Sequence, residues 1–141
     1  MEKNRSVLQI RVAAADTEFQ NVLSNPRYFE WFSRGRIEYY RDHGLLSIDE
    51  SGIPSIDGKC VRAVLVNVNC RFHSIGRFDD LLELVTTVSH IGEHSITFSH
   101  ELFNLSRGHA LVASAQAVQV FLDAATGQKC PVPERLRKLA G

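Results

Sequence analysis

Three sets of side chains in this sequence are of types that do chemistry: six histidines, three cysteines, and two carboxylates just ahead of a helix start. The histidines are not spaced as metal ligands. His90, His94 and His100 fall on neighbouring β-patterned segments, and His94 and His100 share parity. No pair has HExxH spacing, however, and Glu101 takes the parity opposite to His100. No metal is therefore expected. Cys60, Cys70 and Cys130 are odd in number and lack CxxC spacing, which argues against a disulfide framework or a zinc site. Cys70 alternates with valines and reads as a core residue. Ser95 and Ser99 have no nucleophile-elbow context. The carboxylates Asp16 and Glu18 remain. They precede Asn25-Pro26, where Asn is a good N-cap and Pro at the first helical position gives up an amide that has no partner anyway. Taken alone, Glu18 is a solvated loop carboxylate attracted by the positive end of a helix.

The elements that must position these groups follow from periodicity. From Tyr28 onward Phe29, Phe32, Ile37 and Tyr40 recur at helical spacing, and Gly44 supplies a stop after His43. That predicts one helix of about five turns. Residues 7–12 are a β-rich run, and residues 44–58, with Gly52, Pro54 and Gly58, read as a loop or irregular hairpin. Val64, Val66, Val68, Cys70 and Phe72 alternate with Leu65, Asn67, Asn69 and Arg71, which predicts a half-buried strand with the first set inward. Residues 82–91, 96–102 and 110–122 are three further strands, and short turns between these runs favour antiparallel pairing. A short helix is expected around residues 133–137.

One helix cannot cover both faces of five strands. The expected fold is therefore α+β, a five-stranded antiparallel sheet wrapped around one long central helix. The sheet's other face is then partly uncovered, which predicts a homo-oligomer, dimer or dimer of dimers. Ala113, Ser114, Ala115 and Ala117 are small enough to let another backbone approach.

At 141 residues the chain fits a single domain, 1–141, with a real core. Sixteen basic and sixteen acidic side chains leave no net charge, so neither a nucleic-acid coat nor a polybasic membrane binder is expected. No apolar run approaches membrane length, and the stretch from Met1 to Ser6 does not lead into a signal-peptide core. A cytoplasmic protein without a membrane partner is expected.

The segment Asp16-Thr17-Glu18-Phe19-Gln20-Asn21-Val22-Leu23-Ser24-Asn25-Pro26-Arg27-Tyr28 resembles the active-site segment of the 4-hydroxybenzoyl-CoA thioesterase-like family of the hot-dog superfamily. The family pattern is Asp-x-Asp-x-x-Gly-(hydrophobic)-Val-x-(His/Asn/Tyr)-x-x-Tyr, followed by an aromatic-rich helix. Phe29-Glu30-Trp31-Phe32 and Arg34-Gly35-Arg36-Ile37-Glu38 continue it in step. Farther on, Arg77-Phe78-Asp79-Asp80-Leu81 and Ser95-Ile96-Thr97-Phe98-Ser99-His100 are similar to the segments leading into the family's third and fourth strands. The resemblance covers roughly residues 7–138 and implies a hot-dog fold that hydrolyses an acyl or aryl thioester of CoA at a site shared by two subunits. No cofactor is implied beyond the CoA of the substrate. The family's catalytic Asp, nucleophile or base, falls on Glu18, and its oxyanion-donating backbone amide falls on Asn25. Phe19, Asn21 and Tyr28 are implied as substrate contacts.

Three departures bear on activity. Glu18 adds a methylene to the family Asp, Asn21 must carry a left-handed turn that the family gives to Gly, and Asn25 replaces a frequent His. Three alternatives remain open: a hydratase on the same fold, a non-catalytic acyl-thioester-binding protein, and a hydrolase of acyl-carrier-protein thioesters. The absence of His between Asp16 and Tyr28 counts against the hydratase.

Overall fold

The protein is described by a computed structural model over residues 4–140. Strand β1 (Ser6–Arg11) leads to a small hairpin of β2 (Thr17–Glu18) and β3 (Val22–Leu23), then to helix α1 (Asn25–Asp42). A second hairpin, β4 (Leu46–Ile48) and β5 (Pro54–Ile56), occupies the expected loop region. Four long strands follow: β6 (Val61–Phe72), β7 (Leu81–Ile91), β8 (Ser95–Asn104) and β9 (Ala110–Asp123). A short helix, α2 (Glu134–Ala140), ends the described chain. The main sheet has the order β1-β7-β8-β9-β6 and every pair in it is antiparallel. The expected α+β hot-dog architecture is thus what the chain forms.

Helix α1 lies across β1, β7 and β8, and its aromatic residues divide the core in two. Tyr28, Trp31 and Phe32 pack with Leu82, Leu84 and Leu102 under the first half of the helix. Tyr39 and Tyr40 pack with Ile96, Phe98 and Phe121 under the second half. Leu136 of α2 closes that end and is fully buried. Between the two groups the helix comes closest to the sheet at Gly35. A Cβ there would sit 2.7 Å from both Leu84 Cδ2 and Thr86 Oγ1, distances that real side chains do not tolerate.

Ala113, Ala115 and Ala117 of β9 are buried in the protomer within these two core groups, and only Ser114 of the expected stripe escapes burial. The outward-facing positions Ser99, Glu101, Ser114 and Gln116 are polar, whereas Val118 and Val120 on the same face are half-buried and apolar.

Strand β6 departs from the expected alternation. A β-bulge between Leu65 and Asn67 inserts one residue and reverses parity. Val61 and Ala63 turn inward before it and Val68 and Cys70 after it, while Val64, Leu65 and Val66 are exposed. Since β6 ends the sheet, these apolar side chains lie on an edge strand.

A polar group sits inside the core. His100 is fully buried and stacks on Phe32, with ring centroids 5.0 Å apart. Its Nε2 lies 3.3 Å from Arg36 Nη1 and its Nδ1 lies 2.9 Å from Thr86 Oγ1. A guanidinium has only donors, so Nε2 must accept and Nδ1–H donates to Thr86. Burial first, and the Arg36 charge second, push the His100 imidazole down to about 3.

Two outcomes are expected. Gly35→Ala forces α1 off the sheet and lowers stability by about 1–3 kcal/mol, read as a lower urea midpoint. Below pH 6.5 or so the unfolded chain takes a proton at His100 that the folded chain refuses. Stability then falls with acidity by up to about 1.4 kcal/mol per pH unit down to roughly pH 3. Urea unfolding of the wild type at pH 7 and pH 5 is expected to show this slope, and His100→Gln to reduce it.

Candidate active site

The resembling segment folds as a hairpin that delivers the chain to the start of α1. Thr17 pairs with Leu23 and Glu18 with Val22, and Ser24 N–H donates to Asp16 O at 2.8 Å. The turn between the strands is left-handed at two residues, Gln20 (φ 66) and Asn21 (φ 60). Asn21 was expected to carry a positive φ in place of Gly, and it does. Gln20 was not expected to, and it is the less comfortable of the two.

The loop between β6 and β7 clamps this hairpin. Asn21 Oδ1 accepts from Phe78 N–H at 3.1 Å, and Leu23 N–H donates to Gly76 O at 3.0 Å. Gly76 is required there, since a Cβ would meet Leu23 Cδ1 at 2.6 Å. The loop is anchored in turn by Asp80, which is 4% exposed. Asp80 Oδ2 accepts from Arg77 N–H, Asn104 Nδ2 and Arg107 Nε at 3.0, 2.8 and 3.1 Å. Burial raises the Asp80 pKa, but these bonds and the Arg107 charge outweigh it and hold the carboxyl below its ordinary value. Arg107, a surface cation in the sequence, is therefore committed to the anchor.

At the helix start the N-cap is Ser24, in extended conformation, and not Asn25. The strand runs one residue farther than the Asn-Pro signal suggests, which places Asn25 and Pro26 as the first two helical residues. The consequence favours anion binding. Arg27 N–H donates to Ser24 O at 3.0 Å and Pro26 has no N–H. Asn25 N–H is then the amide left without an intrahelical partner at the positive end of an 18-residue helix.

The other expected residues distribute as follows. The Glu18 carboxylate is exposed and makes no hydrogen bond or ion pair among the described residues. Phe19 is 86% exposed. Asn21 uses its side-chain oxygen on the clamp. Tyr28 is 3% exposed and packs edge-on against Phe72, with centroids 4.8 Å apart, so in the protomer its ring belongs to the core and not to a ligand surface. Burial, with a smaller contribution from Cys70, pushes the Tyr28 phenol up to about 12. The Asp16 carboxylate is occupied by Ala13 N–H and Arg27.

Among the described residues, cavities of about 540 and 630 Å³ are present, and Glu18 and Asn25 line neither. Among the described residues no three metal-ligating side chains converge, and no helix is long and apolar enough to cross a membrane. One residue the sequence reading passed over is Arg36, which is 6% exposed and lines the larger cavity. Its signal was position: it stands four residues from both Phe32 and Tyr40 on the apolar stripe of α1.

With this geometry established, the comparisons with known proteins are direct. Residues 12–139 match the thioesterase-like superfamily, and the chain belongs to that family. Its fold is similar to that of a 1,4-dihydroxy-2-naphthoyl-CoA thioesterase from Synechocystis, with TM-score 0.80, 18% identity, and coverage of 96% of this chain and 95% of that one. A 4-hydroxybenzoyl-CoA thioesterase mutant in complex with 4-hydroxybenzoyl-CoA is similar at TM-score 0.83 and 20% identity, over 98% of this chain and 99% of that one. A gentisyl-coenzyme A thioesterase aligns at TM-score 0.76 and 18% identity, over 96% and 100% of the two chains. None of the curated proteins compared matches the sequence.

The clamp gives a further expected outcome. Asn21→Val forces a β-branched residue into a left-handed turn and strips Phe78 of its acceptor. Urea denaturation should show a loss of about 1–3 kcal/mol. Asn21→Gly keeps the turn and loses only the hydrogen bond, for a cost nearer 1 kcal/mol.

Proposed function

We propose that the protein is a cytoplasmic acyl-CoA thioesterase, acting as a homodimer or dimer of dimers, that hydrolyses an acyl or aryl thioester to the free acid and CoA. The observation that carries this reading is the unfilled Asn25 amide at the N-terminus of α1, beside a hairpin that presents the Glu18 carboxylate to solvent. The thioester carbonyl oxygen accepts from Asn25 N–H, where the helix dipole stabilises the charge that develops on it. Glu18 takes a proton from water as the water oxygen bonds to the carbonyl carbon. Collapse of the tetrahedral intermediate breaks the C–S bond, and the departing thiolate is protonated to CoA. A thiolate leaves readily, so one base and one oxyanion donor suffice, with no cofactor beyond the substrate's own CoA.

The surroundings of the helix start support a site completed by a second copy. Phe19, Phe72, Ile75 and Phe78 are each at least half exposed, at 86, 50, 50 and 52%, on the segments that flank it. Strand β6 also carries the exposed Val64, Leu65 and Val66, and an unpaired edge of this length is a natural surface for pairing with an identical strand. Phe19 and Asn21 then border the bound thioester from the hairpin side.

Thiol release measured over short, long and aromatic acyl-CoAs tests the reading. Glu18→Gln keeps the shape of the side chain and removes the base, so a loss of about 100-fold or more in kcat is expected. Full activity in that variant would refute the mechanism. Calorimetric binding of acyl-CoA with no release from any ester, carrier-protein thioesters included, would make the protein a thioester-binding module.

A further inference from the structure

The larger cavity, of about 630 Å³, is walled by the middle of α1, the β4–β5 hairpin and the first residues of β6. This is the size of a small-ligand site. Ile37, Leu46, Ile48 and Ile56 make much of the wall apolar, the charged residues lining it are Arg36, Arg41 and Arg62, and no Asp or Glu does. Arg41 and Arg62 are exposed, and Arg41 is already paired with Glu38.

Arg36 is a different case. It is 6% exposed, its buried Nε has no hydrogen-bond partner, and no carboxylate among the described residues pairs with it. His100 cannot neutralise it, because the imidazole is itself uncharged and only accepts from Nη1. A buried guanidinium without a counter-charge is among the least favourable arrangements in a protein interior. With Nη1 turned to His100 and Nε shut away from solvent, Nη2 is the group that a carboxylate in the cavity can reach.

The position of the cavity links it to the helix start. Asn25, Phe29, Ser33 and Arg36 follow one another at four- and three-residue spacing along one stripe of α1. About 16 Å of helix axis separates the first from the last. An acyl group held at Asn25 by its carbonyl and laid along this stripe reaches the cavity with its far end.

We propose that the cavity is a subsite for a carboxylate borne on an apolar body, with Arg36 as its counter-ion, and that the substrate class is the monothioester of a dicarboxylic acid. The substrate half of this inference rests on the thioesterase reading, whereas the anion subsite stands on the cavity alone.

The test uses matched CoA thioesters that end in a methyl or a carboxylate: octanoyl and suberoyl, dodecanoyl and dodecanedioyl, hexadecanoyl and hexadecanedioyl. In at least one pair the carboxylate-ended member is expected to show a kcat/KM about tenfold higher or more, and Arg36→Met to bring that ratio to about one. A second measurement needs only the wild type: free suberate is expected to raise Tm, and uncharged 1,8-octanediol to leave it unchanged. Equal kcat/KM within every pair together with no rise in suberate overturns the subsite and leaves the thioesterase reading intact. Hydrolysis of no thioester, with a rise specific to suberate, overturns the thioesterase reading and retains the subsite. Equal rises with both compounds show a site that does not read the carboxylate and overturn Arg36 as its counter-ion.

Discussion

Much of this structure depends on how near α1 can lie to the sheet. The helix approaches at Gly35, where even a methyl group would collide with Leu84 and Thr86 of β7. The short separation lets the large aromatics on either side, Phe32 and Tyr39, be fully buried. Burial of each such side chain contributes on the order of 2 kcal/mol. It also determines where the start of α1 stands relative to the sheet, because the helix is docked at its middle and its first turn extends from that point.

The orientation of that first turn is controlled separately. A hairpin of two-residue strands has little stability of its own. Here it is held by two hydrogen bonds to the β6–β7 loop, and the loop is held by the many-bonded Asp80 carboxylate. The chain of constraint runs from a buried acid, through a loop and an Asn side chain, to the backbone amide of Asn25. None of the intermediate residues needs to touch a substrate for the amide to be aimed correctly.

Most polar groups inside this protein are satisfied, and among the described residues the buried side-chain atoms without a partner are Arg36 Nε, His43 Nε2 and His94 Nδ1. Tyr40 donates to Gln119 at 2.8 Å, His100 bonds to Thr86, and Asp80 has three donors. Arg36 alone among these carries a charge into the interior with a single neutral partner and an unpaired Nε. Because the same residue faces a largely apolar cavity free of acids, the imbalance is concentrated where a ligand can correct it.

The order of strands and helix, the stop of α1 at Gly44, and the left-handed turn at Asn21 were all determined by local sequence. Each depends on periodicity or on the backbone freedom of a single residue, properties that act over a few positions. The one-residue shift of the N-cap to Ser24 and the reversed parity of β6 around its bulge were decided by tertiary structure, since hydrogen bonding to neighbouring strands overrides local preference. The same holds for Tyr28, which reads from sequence as a residue beside the site and is packed against Phe72, 44 positions away. Arg36 shows the division most plainly. The sequence placed it on the apolar stripe of the helix, but only packing could remove it from water without supplying an acid, because burial and pairing are properties of what the rest of the chain brings alongside.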